Sequence, residues 1–357
     1  MTNPLKIAIL GAGGITGSHL PAYLEHPDRV KLVAVCDIDE PRAIALAQKA
    51  GIDAIYTDLD QMLKEADIEA IDNCTFHPQH APLSIAAMEA GKHVIVEKPM
   101  AMSVKECKDM IEVSNKAGVT LMVAQDLRYS PEAVAVRQLI DEGKLGEIQA
   151  ARTHLMQKFG IGHDRYADAT RGGGILMSVQ VHHIDLLRYY IGNVKRVTAM
   201  CKSVTDFMTN GAEDLVTAIL EFENGALASI FAFPGDTPKD MVDGKRTRSD
   251  REYVLYGSAG TIHSTPQSEP EHAHFGQVMF APLKGESAGE FKHVDTSDSK
   301  LPSLKPFVNQ ILHFEECIRN GSEPISSGSD NLETMKIIFG IWESARTRET
   351  VDLADLE

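Results

Sequence analysis

The sequence contains no apolar run approaching the roughly 18 residues that a membrane-crossing helix needs, and no basic excess, its formal net charge being −16. Without a basic face, nucleic acid and anionic membrane surfaces are set aside as partners, because both are bound through clustered Lys and Arg. Any anionic ligand must instead be held by local dipoles and a few placed cations. Cysteine is sparse. Cys36, Cys74, Cys107, Cys201 and Cys317 are odd in number, lack paired spacing and lie in apolar segments, which predicts reduced core thiols and neither a disulfide framework nor a zinc motif. No leader is expected either, since residues 1–6 run directly into the apolar 7–10 without a charged region, an apolar stretch and a cleavage site. The expectation is a soluble, cytoplasmic protein. Internal repeats and low-complexity tracts are also absent.

What is present is an ordinary globular composition, 43% hydrophobic and 24% charged, over 357 residues, a length that favours two domains. Up to about residue 124, short apolar runs at 6–10, 31–36, 54–56, 70–74, 93–96 and 120–124 alternate with 41–50, 59–66, 80–90 and 104–117. The intervening segments carry apolar residues at three and four spacing, with Gly51, Gly91 and Gly118 at helix ends. Such alternation predicts a doubly wound α/β domain on a buried parallel sheet. Pro21 falls within the first helix, where its missing donor predicts a kink or a restart.

After 131–141 and the breaks at Gly143 and Gly146 the texture changes to longer strands at 148–157, 195–204, 215–222 and 226–233, the last two joined by the hairpin signal Asn224-Gly225. One helix near 175–190 interrupts this largely antiparallel sheet, and helices at 306–320 and 331–347 close the chain. The division predicted is a Rossmann domain at 1–127, an α+β substrate and oligomerisation domain at 128–330, and a C-terminal helix and tail at 331–357.

Strand 7–10 leads into Gly11-Ala12-Gly13-Gly14-Ile15-Thr16-Gly17, where small residues allow the backbone to turn tightly and approach a pyrophosphate at a helix N-terminus. Thr16 stands where the third glycine of the usual spacing belongs. A second strand ends at Asp37, close to the about 20-residue offset of a ribose-binding acid. Its carboxylate would accept from both ribose hydroxyls and repel a 2′-phosphate, favouring NAD over NADP, while Arg42 could reach toward such a phosphate.

Glu97-Lys98-Pro99 after the fifth strand, together with this loop, resembles the glucose-fructose oxidoreductase / inositol dehydrogenase (Gfo/Idh/MocA) family. Cys74-Thr75 with His80, Arg128-Tyr129-Ser130-Pro131, Gly172-Gly173-Gly174, His182-His183-Ile184-Asp185 and Ser344-Ala345-Arg346 resemble further family segments in the same order, so the likeness spans nearly the whole chain. It implies a Rossmann domain followed by a large open sheet whose face forms the interface of a homodimer or homotetramer. It also implies that Thr75, His80, Glu97 and Lys98 line the cofactor site, with the Lys98 ammonium on the reacting oxygen and a cis Lys98–Pro99 bond expected beside it.

Oxidation of a secondary alcohol needs a hydride acceptor, a base and orienting groups. His182 and Asp185, three apart on a predicted helix, share a face, and imidazole has the ordinary pKa nearest neutrality, so His182 is the expected acid/base and Asp185 its orienter or a substrate ligand. Many dehydrogenases of the family carry Asp where this chain has Ser178, and a small residue where it has Gln180. Serine can hydrogen-bond but cannot stabilise an imidazolium by charge. His183 raises the question of a metal, but adjacent helical residues point about 100° apart and none is assigned. A polar loop of His163, Asp164, Arg165 and Tyr166 is expected over the substrate, with Ser178 and His183 nearby; Arg128 takes either a substrate or a structural role. The predicted activity is an NAD-dependent dehydrogenase of a sugar, inositol or related polyol. Two alternatives stand beside it: a glycoside hydrolase that keeps its NAD and oxidises the sugar transiently, and a non-catalytic cofactor-binding regulator.

Overall fold

The computed structural model describes residues 3–157, 164–235, 249–264, 277–296 and 299–356. The chain forms two compact units, one of Met1–Ser130 with Leu301–Met335, the other of Pro131–Lys300 with Lys336–Glu357.

In the first unit, β1 (Leu5–Leu10), α1 (Thr16–Glu25), β2 (Val30–Cys36), α2 (Glu40–Ala50), β3 (Ile55–Tyr56), α3 (Leu59–Glu65), β4 (Ala70–Asn73), α4 (His80–Glu89), β5 (His93–Glu97), α5 (Val104–Ala117) and β6 (Leu121–Ala124) follow the predicted alternation. All six strands run parallel in the order β3-β2-β1-β4-β5-β6. The order reverses at β1, and ligands of open α/β sheets bind at such a reversal, outside the carboxyl ends of the strands. Asp39, Asp58 and Ser103 cap α2, α3 and α5 through side-chain oxygens, and Gly51 and Gly118 end α2 and α5 in the left-handed conformation. Pro21 lies inside α1, which runs as one helix to Glu25 with no restart.

Sequence order divides the chain at 127/128 and 330/331, and the compact units are drawn differently. The helix α9 (Pro306–Asn320) returns to the Rossmann half: Val308, Ile311, Leu312 and Phe314 share one buried cluster with Ile7, Ile9, Leu20 and Tyr23. Polar ties reinforce it. Arg29 donates to Glu315 and to the Leu312 carbonyl, Asn309 to the Tyr129 carbonyl, and Ser326 to the Val123 carbonyl. An amphipathic helix is placed by its apolar face, whatever its position along the chain.

The second unit contains α6 (Pro131–Asp141), β7 (Ile148–Gln157), α7 (Asp164–Ala167), α8 (Val181–Ile191), β8 (Val194–Lys202), β9 (Leu215–Phe222), β10 (Leu227–Phe233), β11 (Ser249–Gly257), β12 (Gly260–Ser264), β13 (Val278–Pro282), β14 (Lys292–His293) and β15 (Val351–Asp352). The helix α10 (Gly328–Thr347) starts in the first unit and ends in this one. The nine strands order as β14-β13-β12-β11-β7-β10-β9-β8-β15, antiparallel except where β10 runs parallel to β7. In β9, Val216, Ala218, Leu220 and Phe222 are buried while Thr217 and Ile219 are exposed, the period of two that leaves one face of a sheet open. Among the described residues, no helix is long and apolar enough to cross a membrane.

Candidate active site

The loop after β1 is built for close approach. Gly11 has φ +92°, and a Cβ there would lie 2.9 Å from the backbone of Cys74 and Thr75, so only glycine lets the loop pass over the end of β4. At Gly13 and Gly14 a Cβ would meet nothing within 4 Å: open space lies beside the loop. Helix α1 starts behind it with no side-chain cap and no acidic residue in its first turn, leaving its positive end for an anion. At the end of β2, Asp37 accepts the Ala12 N–H at 2.5 Å and the Asp39 N–H at 2.8 Å, which ties loop to strand while free lone pairs remain on both oxygens. Uncapped amides, open space and a placed carboxylate fit a dinucleotide. Arg42, by contrast, is held by Asp39 at 3.0 Å on the exposed start of α2.

At the carboxyl edge of the same sheet, β5 ends in Glu97, and the Lys98–Pro99 bond is cis as expected. Lys98 is half-buried, and its backbone N–H is accepted by Glu97 Oε2 at 3.2 Å. Thr75 hydrogen-bonds the Asn73 side chain through Oγ1 at 2.6 Å. His80, expected at the cofactor, is fully buried, with Nδ1 2.7 Å from the Pro99 carbonyl and Nε2 3.1 Å from the Thr75 carbonyl. Its ring braces the exits of β4 and β5 from behind and presents no atom to a ligand; burial lowers its pKa. Arg128 takes the structural one of its two expected roles. It is 2% exposed, pairs with Asp330 at 2.7 Å and donates to the Ile325 carbonyl.

Behind Glu97 lies a buried cluster that sequence reasoning missed. His19 Nδ1 is 2.9 Å from Asp72 and Nε2 is 3.0 Å from Glu97 Oε1, and the Tyr23 hydroxyl donates to Asp72 at 2.8 Å. Cys74 Sγ approaches the other Asp72 oxygen at 3.4 Å. Burial opposes a charge on His19, yet Asp72 and Cys74 outweigh it and hold its pKa well above the ordinary value; the same burial raises the Cys74 thiol to about 12. Ligand atoms of His19, Asp72 and Cys74 lie within 4.8 Å of one another, a spacing suited to a metal, but each already has hydrogen-bond partners. The available signals were an acid inside the apolar run 70–74 and a histidine on the inward face of α1 with Thr16 and Tyr23.

In the second unit the glycine run is dictated by its neighbours. A Cβ on Gly173 would lie 2.6 Å from the Asp168 amide nitrogen, and one on Gly174 would lie 2.6 Å from Glu213 Oε1. A π-helical turn, Leu176–Gln180, then leads into α8. Ser178, Gln180, His182 and Asp185 are all buried. His182 and Asp185 stand in regular helix, so their shared face is retained, whereas Ser178 sits in the wider turn, where α spacing does not apply. Both amide atoms of Gln180 are buried without a hydrogen-bond partner among the described residues, the state of a group that awaits one. His183, expected at the substrate, turns to the sheet instead: Nδ1 is 2.9 Å from Thr153 Oγ1 on β7, and its neighbours are Leu186, Tyr190 and Tyr253. Its adjacency to His182 sends it to another face, as about 100° per residue requires. Tyr166 is half-buried and its carbonyl accepts the Gly174 N–H at 3.0 Å. His163 and the side chains of Asp164 and Arg165 lie outside the described residues.

A glycine loop at the reversal of a six-stranded parallel sheet, with an acid at the end of β2, defines an NAD-binding oxidoreductase. Residues 5–125 match the oxidoreductase family with an NAD-binding Rossmann fold, and residues 133–263 match the GFO/IDH/MocA C-terminal domain. The chain belongs to the Gfo/Idh/MocA family. It is 28% identical to a D-apiose dehydrogenase from Paraburkholderia graminis over 99% of this chain and 90% of that protein. To a myo-inositol 2-dehydrogenase from Thermotoga maritima it is 25% identical over 99% of both chains. Among solved structures, a levoglucosan dehydrogenase in complex with NADH and L-sorbose shares the fold with a TM-score of 0.85 at 22% identity, covering 99% of each chain.

Proposed function

We propose that this protein oxidises a secondary alcohol of a sugar, inositol or related polyol with NAD+ as hydride acceptor. The observation that carries the reading is Lys98, set at the carboxyl edge of the parallel sheet directly after a Glu97 that is fixed on its other oxygen. Names of relatives support the substrate class, D-apiose and myo-inositol both being polyhydroxylated.

The Gly13, Gly14 and Ile15 backbone and the positive end of α1 hold the pyrophosphate, and Asp37 accepts the ribose hydroxyls. Bound NAD+ supplies the hydride acceptor. The Lys98 ammonium donates to the reacting oxygen and stabilises the charge that grows on it as its proton leaves. His182 takes that proton. Because Ser178 is uncharged, stabilising the resulting imidazolium falls to Asp185, three residues on. Tyr166, Arg165 and Gln180 serve the remaining substrate hydroxyls. NADH formation from a panel of polyols, lost in Lys98→Ala and His182→Ala, tests the assignment.

The exposed Met200, Ile219, Leu227 and Tyr256 on the outward face of β8, β9, β10 and β11 support a homodimer or homotetramer assembled through that face. Ile219→Lys should shift the mass measured by light scattering toward the monomer. Five free thiols, four of them buried, suit a reducing compartment, the cytoplasm.

A further inference from the structure

Glu213 has no part in the chemistry just described, yet it meets the start of the helix that bears Ser178, His182 and Asp185. It is 5% exposed. Its Oε1 accepts the Leu176 N–H at 3.0 Å, its Oε2 accepts the Trp342 indole N–H at 3.0 Å, and its own carbonyl accepts the Ile175 N–H at 2.8 Å. Two of these donors are amides that a helix start leaves without internal partners, and a carboxylate is the acceptor favoured at that positive end. Gly174, at φ +104°, completes the fit, since a Cβ would lie within 2.6–2.8 Å of all three carboxylate atoms.

We propose that Glu213 is a positioning residue for His182: its ionised carboxylate pins the turn Leu176–Gln180 to α10, and protonation releases one of the two pinned donors. The reason is an atom count. A carboxylate accepts on both oxygens with its full charge, whereas a neutral carboxyl puts a proton on one of them and makes that oxygen a poor acceptor, so the bond to the Leu176 amide or the Trp342 indole at that oxygen gives way. The proposal rests on the reading of His182 as the proton acceptor. Ionisable groups around the pin are Asp214, next in the chain, and the Cys201 thiol on β8, with Arg348 beyond it. Burial, with a smaller contribution from Asp214, raises the Glu213 carboxyl to about 7 against three hydrogen bonds that lower it, from the Leu176 amide, its own amide and the Trp342 indole, so the pin is made above neutrality and loosened below it.

Trp342 is the single tryptophan of the chain, and its indole N–H gives one NMR signal located at the pin. In the full-length protein that signal should titrate with a midpoint near 7, the value to which Glu213 is raised, and be flat in Glu213→Gln. The His182 ring signals, identified by their loss in His182→Gln, should shift in Glu213→Gln. With a polyol substrate, kcat should fall about tenfold, the size of one charge-assisted hydrogen bond, while KM for NAD+ stays unchanged and Glu213→Asp recovers part of the rate. Should Glu213→Gln fail to fold, Trp342→Phe removes one donor only and must shift the same His182 signals. An indole signal with no titration between about pH 5 and 9 overturns the proposal, as do unmoved His182 signals in the variants. If those signals move as expected and no polyol reduces NAD+, the pin stands and the dehydrogenase reading fails.

Discussion

His19 Nε2 lies 3.0 Å from Glu97 Oε1, and the other oxygen of that carboxylate accepts the Lys98 backbone N–H at 3.2 Å. A buried imidazole, itself anchored on Asp72, therefore fixes the carboxylate that fixes the backbone of Lys98. Removing it leaves Asp72 and Glu97 in the interior without their common partner. His19→Leu should destabilise by about 3 kcal/mol, the usual consequence of breaking a buried pair, as measured by urea denaturation.

Its pH dependence has a definite sign. The His19 pKa is raised in the folded protein, so its stabilisation is fully present below the ordinary imidazole value and is lost as pH rises through the raised one. Thermal melting of the wild type should fall toward alkaline pH along a limb that His19→Leu lacks. Parallel curves for the two proteins would argue against a charged His19.

Asp37 holds the Ala12 amide and is proposed to hold the ribose, so Asp37→Ala should act on cofactor binding alone. The expected outcome is a KM for NAD+ raised about tenfold, one charged hydrogen bond's worth, with use of NADP+ improved once the repelling carboxylate is gone. Kinetics with both cofactors at saturating substrate read the ratio.

Much of this arrangement was legible in the sequence, and the reason is local. The segment 104–117 coincides with α5 (Val104–Ala117) and 215–222 with β9, because each carries its own periodicity and its own caps or turns. The Gly11 loop, Asp37 and Lys98 follow strand ends and could be placed once the strands were. Contacts distant in sequence leave no such trace. Nothing in 306–320 says that its apolar face packs with Ile7 and Ile9, nothing near Gly174 points to Glu213, and no local pattern marks Leu176–Gln180 as a π-helical turn. His80, expected from its motif at the cofactor, ties the exits of β4 and β5 through the Thr75 and Pro99 carbonyls, a long-range contact that no local pattern reveals, whereas for Arg128 the structural role was one of the two expected.

Gly174→Ala provides a second stability test. With φ at +104° and the Glu213 carboxylate 2.6 Å from the new Cβ, backbone strain and crowding together should cost about 2–3 kcal/mol, visible as a lower denaturation midpoint. Gly13→Ala, where a Cβ meets nothing within 4 Å, should leave stability nearly unchanged and weaken NAD+ binding instead.

The proposed hydride transfer from a polyol to NAD+ by way of Lys98 and His182 should be visible as NADH absorbance when the protein, NAD+ and a polyol are mixed. A steady rise is expected for at least one member of a panel of pentoses, hexoses and inositols, reduced on the order of 100- to 10,000-fold by Lys98→Ala or His182→Ala, with NAD+ still bound by both variants. A full-rate Lys98→Ala protein, or glycoside cleavage with no net NADH from any polyol, would contradict it.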